Sequence, residues 1–473
     1  MSITGTLFLF CFLPLSLILY YFCQNKLREY ILLALSLCFY ALGSVKYIFL
    51  FLCSIILSII IGRLIHLTPK KLARRILLIT GIALNAGILI YYKYADFILS
   101  FTKENAADVQ KEVLLPLGLS FFTFKAISYL VDVYSGKAVL SENPVHDALY
   151  LSFFGQIQSG PLSRYNDMCF PAELDGKKNA RMNLFSDGVL RFLIGFNKKV
   201  LLANILAKVT TEVFSTPVEK YTMAYAWLGS ICFSLQLFFD FAGYSDMAIG
   251  LSEMFGYKCR ENFNYPYMTE SVAKFWRRWH ISLSEWFRDY IYIPLGGSRN
   301  KNKWRVYFNL LVVWVLTGIW HGAAWTFVFW GLGYFVLISF ERLTKLPDRL
   351  QSKPSKIIYR VFTLLFINCQ WILFRSDTLK NGIRFIKRLF VFYDNKITDF
   401  RALFLLKEYG VFIAAAILLC FPVVPWLRKK LEGRTKALVV FDGIVYTVIL
   451  GLFVCALSFV VAGQNNPFAY ANF

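Results

Sequence analysis

The sequence predicts an all-α protein that crosses a membrane many times. Of its 473 residues, 57% are hydrophobic and 18% aromatic. The mean hydropathy is +0.53, and apolar runs recur from one end to the other. A bilayer core offers an unpaired backbone group no water, so a spanning segment must satisfy its own N–H and C=O groups. The runs are continuous, without the alternation of barrel strands, and the spans are therefore helices. In order they lie near residues 5–23, 29–43, 47–62, 76–92, 113–131, 147–158, 184–206, 223–250, 306–340, 357–374, 402–426 and 438–462. The first lacks the basic leader and small-residue cleavage site of a secretory signal and reads as a span. Several runs are shorter than the roughly 20 residues a crossing helix needs, which predicts roughly ten to twelve crossings plus re-entrant and interfacial helices. No repeat and no Pro/Ser/Gly-rich linker divides the chain. One membrane domain is expected over 1–473, with N-terminal spans over 1–112, a core over 113–375 and C-terminal spans over 376–473.

The net charge of +22 sits in short loops between apolar runs rather than in a soluble basic module, so no nucleic-acid partner is expected. Such cations orient the spans and meet membrane lipids. Lys26 and Arg28 follow the first run and Arg63, Lys70, Lys71, Arg74 and Arg75 the third, whereas residues 93–112 hold three lysines against four acids. The positive-inside rule then puts the N-terminus outside a cytoplasmic membrane. Arg299, Lys301, Lys303 and Arg305 precede the run at 306–340, and Arg342, Lys345, Arg349, Lys353, Lys356 and Arg360 follow it. Both its ends are therefore cytoplasmic, and it reads as a hairpin of two short helices with His321 near the turn, at membrane depth. Residues 375–401 carry seven basic residues on the side the rule disfavours, and I-R-F-I-K-R-L-F at 383–390 reads as an interfacial amphipathic helix. Cys11, Cys38, Cys53, Cys232, Cys420 and Cys455 are scattered singly in apolar runs, as small core or lipid-facing residues, and no ligand spacing for a metal occurs.

The chain has four histidines, and two of them, His280 and His321, stand in aromatic surroundings rich in tryptophan. An apolar setting favours neutral imidazole, the form that accepts a proton, which makes His321 a candidate general base. Its neighbours Gly318, Gly322, Ala323 and Ala324 admit close approach of a substrate chain or a helix, and Trp320 and Trp325 offer apolar walls. Taken alone, a membrane histidine is as well explained by a hydrogen bond across a helix interface. Ser271 to Ile293 reads as an amphipathic helix, with Trp276 and Trp279 beside Arg277, Arg278 and His280. The arginines suit the phosphates of a coenzyme or carrier group, or lipid head groups. Asp240 and Asp246 lie in a long apolar run, either contacting substrate or, the commoner use, paired with an arginine of a neighbouring helix. Other patterns fail: G-Y-S-D-M at 243–247 lacks the second glycine of a nucleophile elbow, and Gly296-Gly297 is a turn with no phosphate-loop lysine after it.

Segments along most of the chain resemble the membrane-bound O-acyltransferase family, in its bacterial alginate O-acetylation branch. They are L-P-L-G-L-S-F-F-T-F (115–124), S-Y-L-V-D-V-Y (128–134), S-G-P-L-S-R-Y (159–165), D-F-A-G-Y-S-D-M-A-I-G (240–250), E-N-F-N-Y-P-Y (261–267), the stretch from F-W-R-R-W-H to G-G-S-R (275–299), G-I-W-H-G-A-A-W (318–325) and W-I-L-F-R (371–375). The resemblance implies helices around a funnel or tunnel, His321 as the family's invariant histidine and His280 as the second one. It also implies acyl transfer from acetyl-CoA or another thioester donor, with no permanently bound cofactor. The final acceptor would be a cell-envelope or extracellular polysaccharide, reached with an SGNH-type extracellular or membrane-tethered transferase and a polysaccharide synthase complex as partners. Three other readings remain at this point: D-alanyl transfer to teichoic acid from a carrier protein, a non-enzymatic transporter, which internal pseudo-repeats would favour, and an inactive scaffold that only assembles a synthase complex.

Overall fold

The computed structural model describes residues 1–99, 115–168, 178–391 and 396–463. Most of the 93–112 loop used above for orientation lies outside them. Among the described residues the regular structure is helical throughout. Contacts group the chain into two compact units, residues 1–192 with 245–261, and 193–244 with 262–473.

In the first unit, α1 (Leu13–Phe22), α2 (Arg28–Gly43), α3 (Ile48–Leu67), α4 (Lys71–Leu99), α5 (Leu119–Tyr134) and α6 (Pro144–Ser152) precede most of α7 (Lys178–Asn197). Gly118 starts α5 at φ +65, and a Cβ there would strike the Ile157 carbonyl, so only glycine fits. The unit closes around Asp147, which is fully buried. Its carboxylate accepts from Arg63 Nη2 at 2.6 Å and from the hydroxyls of Tyr165 (2.7 Å) and Tyr129 (3.2 Å). A carboxylate away from water persists only with such partners. Asp246 is likewise paired with Arg191, at 2.6 Å, and Arg191 also holds Glu261.

The second unit contains α8 (Asn204–Ser215), the 223–244 part of α9 (Met223–Met254), α10 (Val272–Trp276), α11 (Ile281–Phe287), α12 (Lys303–His321), α13 (Trp325–Thr344), α14 (Leu346–Arg349), α15 (Lys353–Arg375), α16 (Leu379–Arg388), α17 (Phe400–Leu419), α18 (Val423–Lys430) and α19 (Thr435–Val461). Asn302, Ser352, Thr378 and Asp399 cap α12, α15, α16 and α17 with side-chain oxygens on backbone N–H groups. Asp240 on α9 pairs with Lys199 at 2.5 Å, both almost wholly buried, so the partner is a lysine rather than the expected arginine.

Seven helices among the described residues are long and apolar enough to cross a membrane: 45–67, 71–95, 223–254, 325–344, 353–375, 400–419 and 435–461. Other apolar runs fold as shorter helices, as α1, α2, α5 and α6 do. Two expectations need correction. The run at 306–340 is a hairpin, but its helices are not short: α12 has 19 residues and α13 has 20, each about 30 Å long. The stretch from Ser271 to Ile293 is not one helix either. It breaks at 277–280, where His280 adopts φ +44, because tertiary hydrogen bonds to 262–264 replace the helical ones.

The buried Lys199–Asp240 pair yields a stability prediction. Lys199→Met alone strands a carboxylate and should cost about 3–5 kcal/mol, whereas Lys199→Met with Asp240→Leu should recover most of it. Thermal melts of the purified protein in one detergent check the ordering; equal losses in the single and double variants would contradict it.

Candidate active site

The hairpin of α12 and α13 brings His321 into the interior. Gly318 lies against the Phe327 carbonyl and Gly331 against the Trp314 carbonyl, positions where any Cβ would collide with backbone, so the two helices touch at their glycines. His321 ends α12 and is 3% exposed. Its ring lies 4.7 Å from Trp320, 4.9 Å from Trp330 and 5.2 Å from Phe374, centroid to centroid. Those partners come from α12, α13 and α15.

His280 reaches the same cluster from the other side of Trp320, whose indole is 6.3 Å from its ring. Phe241 of α9 packs edge-on against it at 4.5 Å. Asn262 Oδ1 accepts from the Ser282 backbone N–H at 3.2 Å and from the Ser282 hydroxyl at 2.9 Å. A backbone N–H can only donate, so this atom is the amide oxygen and the His280 Nδ1 3.1 Å away must be the protonated nitrogen. Nε2 then carries the lone pair; it is buried and meets no donor among the described residues. Complete burial pushes the His280 pKa down to about 3. Backbone bonds from Ile281 N–H to the Asn262 carbonyl and from Asn264 N–H to the Arg278 carbonyl hold the strained His280 backbone. A residue with a Cβ costs about 1–3 kcal/mol in such a conformation, which is found mainly at functional positions.

The short helix α10 is fixed by a residue that the sequence did not single out. The Glu341 carboxylate accepts from the backbone N–H groups of Val272 (2.8 Å) and Ala273 (2.9 Å) and from the Tyr359 hydroxyl (2.8 Å). Trp276 and Trp279 are thereby set into the core, Trp276 against Trp314, Trp330 and Tyr334, and Trp279 against Trp371 at 4.9 Å. The indole N–H groups of Trp276, Trp330 and Trp371 are buried and find no acceptor among the described residues. Buried donors are rarely left so; Trp330 lies against the His321 ring, and Trp276 and Trp371 pack on Trp330.

The sequence-derived residues therefore separate. His280, His321, Trp276, Trp279 and Trp320 share one aromatic core. Arg277 is exposed and Arg278 half-buried on the same turn, with Arg278 donating to the Asn264 carbonyl. Trp325 is 55% exposed and faces outward, although it stands only four positions from His321. Asp240 and Asp246 are engaged in the ion pairs described above, in different units. Asn262, Trp330, Glu341, Trp371 and Phe374 are additions from the structure. Asn262 and the Trp371–Phe374 pair were visible as motif letters, and Glu341 as a lone acid in an apolar run; Trp330 carried no distinguishing signal.

A pH dependence follows for His280. Its folded pKa lies below the unfolded value of about 6.5, so its contribution is complete above that pH and is lost progressively as pH falls toward 3. The wild-type melting temperature should drop between pH 7 and pH 5, with a shallower slope in His280→Gln; parallel slopes would show that the ring titrates normally.

The model of the family described as "MBOAT, membrane-bound O-acyltransferase family" matches residues 143–376, which include both histidines and Trp276, Trp330, Glu341 and Trp371. The chain is 36% identical to the "Probable alginate O-acetylase AlgI" of Azotobacter vinelandii over 92% of its own length and 88% of the relative's. It is 35% identical to the "Peptidoglycan O-acetyltransferase" of Helicobacter pylori, over 80% and 78% of the two chains. Identity to the "Teichoic acid D-alanyltransferase" of Bacillus subtilis is 32%, over 53% and 66%. With two buried histidines in one tryptophan-lined core, seven helices among the described residues long and apolar enough to cross a membrane, and relatives matched along nearly its whole length, the chain belongs to the membrane-bound O-acyltransferase family and is a multi-pass membrane O-acyltransferase.

Proposed function

We propose that this enzyme moves an acetyl group from a cytoplasmic acyl thioester, acetyl-CoA or a comparable donor, toward the hydroxyls of a cell-envelope or extracellular polysaccharide. The relatives matched over most of the chain are named for O-acetylation, whereas the D-alanyltransferase match covers about half of it. The observation that carries the reading is the shared core: a buried imidazole at His321 with the Trp330 indole against it, a second at His280 with its acceptor nitrogen open, and two further buried indole N–H donors packed on Trp330.

In the proposed mechanism His321 takes the proton of the acceptor hydroxyl as that oxygen attacks the thioester carbonyl. The new C–O bond creates a tetrahedral oxyanion. On its collapse the C–S bond breaks and the thiolate leaves with the proton His321 had taken. The indole N–H of Trp330, beside His321, supplies the donor that the growing negative charge requires, with Trp371 and Trp276 behind it. Trp325 points away from the core, which leaves it poorly placed for that task. His280 is the positioning residue: its fixed tautomer presents Nε2 as an acceptor to a hydroxyl or water inside the core. Arg277, on the exposed side of the same turn, suits the phosphates of a coenzyme or carrier arm. The acetyl group passes to the polymer directly or through an SGNH-type partner transferase of a synthase complex.

The test is the acetyl ester content of surface polysaccharide in cells carrying wild type, His321→Ala or His280→Ala at matched membrane levels, with D-alanyl esters measured in parallel. His321→Ala should abolish acetylation; unchanged acetyl esters would overturn the mechanism, and loss of D-alanyl esters would reassign the acyl group. Trp330→Phe should lower kcat by about 10²-fold at matched protein level. A rise in KM alone would make Trp330 a wall and not an oxyanion donor.

A further inference from the structure

Helix α17 turns one face to the protein and the opposite face away from it. Ala402, Leu405, Ile413 and Ala416 are buried, on the side that packs against α8 and residues 198–203. Half a turn round, Phe400, Phe404, Lys407, Val411, Ala414 and Leu418 form a second stripe, all of them exposed. Their spacing alternates between four and three residues, which is the spacing of a seam between two paired helices. Phe400 and Val411 remain 79% and 78% exposed. Beside the stripe, a Cβ added to Gly410 would meet nothing within 4 Å, so a second backbone has room to approach.

Charge interrupts this stripe at depth. Helix α17 has 20 residues, about 30 Å, and is one of the helices long and apolar enough to cross a membrane. Lys407 stands about 10 Å from its start and about 18 Å from its end, at the centre of the exposed face, and Glu408 follows at the edge of that face. Neither makes an ion pair among the described residues, and the Glu408 carboxylate meets the neutral hydroxyl of Tyr409. Adjacent residues on a helix do not face each other, so the two charges do not satisfy one another. A lysine stem can carry its ammonium toward a membrane surface; the shorter stem of Glu408 cannot, and its carboxylate needs a cation at its own depth.

We infer that the exposed face of α17 is where two copies of this chain associate in the membrane, through reciprocal Lys407–Glu408 ion pairs. A helix face that carries one cation and one anion at the same depth is complementary to itself. A two-fold axis normal to the membrane sets two α17 helices parallel, stripe against stripe, and brings Lys407 of each copy against Glu408 of the partner subunit. In such a seam a side chain at the Lys407 position enters a hole bordered by the Glu408 position of the facing helix. The four charges sum to zero, and both pairs form in one contact. Lipid tails offer neither charge a partner, and an unrelated helix would have to supply both signs at matching positions.

The test places full-length protein, tagged with donor or acceptor fluorophores, in phosphatidylcholine vesicles and follows energy transfer as added lipid dilutes it. Wild type should associate saturably, as a two-body equilibrium. Lys407→Glu and Glu408→Lys each set like charges in the seam, and each alone should associate about tenfold or more weakly. Mixed together, the two variants should pair with one another at close to wild-type strength, because each supplies the charge that the other now lacks. Lys407→Met/Glu408→Gln should also associate about tenfold more weakly despite its more apolar face, which keeps the test decisive if a reversal fails to fold. Unchanged association of the single reversals, or failure of the mixture to pair, contradicts the inference. Wild-type energy transfer no greater than random crowding produces would also sink it, and would leave the two charges to lipid head groups or to a helix of another protein.

Discussion

The Glu341 carboxylate holds two backbone N–H groups at the start of α10 and the Tyr359 hydroxyl, and the geometry of the histidine core depends on it. A helix of five residues cannot persist on its own hydrogen bonds, since nucleation is costly and its terminal groups outnumber its internal ones. An anionic acceptor at its N-terminus offsets that cost, and Ser271 adds a side-chain cap from Oγ to the Lys274 N–H. With α10 fixed, Trp276 and Trp279 are clamped among Trp314, Trp330, Tyr334 and Trp371, and the chain must turn sharply through His280. Glu341 and Tyr359 stand on α13 and α15, the helices that also carry Trp330 and Phe374, whose rings face His321.

Both units follow the same rule for polar groups away from water. Asp147 gathers Arg63, Tyr129 and Tyr165, while Asp240 takes Lys199. Two of the segments that carry the sequence resemblance, S-Y-L-V-D-V-Y and S-G-P-L-S-R-Y, thus supply Tyr129 and Tyr165 to a structural network. The segments containing Asn262, His280, His321 and Trp371 supply the core. Motif letters of the two kinds look alike in one dimension, and only their partners separate scaffold from chemistry. Nε2 of His280 and three indole N–H groups meet no partner among the described residues, and this is the hydrogen-bonding capacity on which the proposed mechanism draws.

The all-helical class, the membrane setting, the family and the two histidines were legible from composition, continuous apolar runs and motif spacing. The amphipathic helix over 379–388 was legible too, because its basic and apolar residues alternate with the helical period. Helix breaks were not. A period-based reading joins Ser271 to Ile293, since aromatic residues recur at three and four positions on both sides of the break. Trp325 shows the converse: adjacency to His321 in sequence says nothing about which face of the next helix a side chain occupies.

The sequence by itself determined that this chain must be helical and membrane-spanning, because lipid leaves the backbone no other partners, and that it carries the residue types of an O-acyltransferase. Tertiary structure decided which of those residues meet. His280 and His321 are forty-one positions apart and come together around Trp320 through glycine contacts between α12 and α13 and a turn held by Asn262. Such contacts depend on the close approach of elements distant in sequence, and no local pattern of residues encodes that distance.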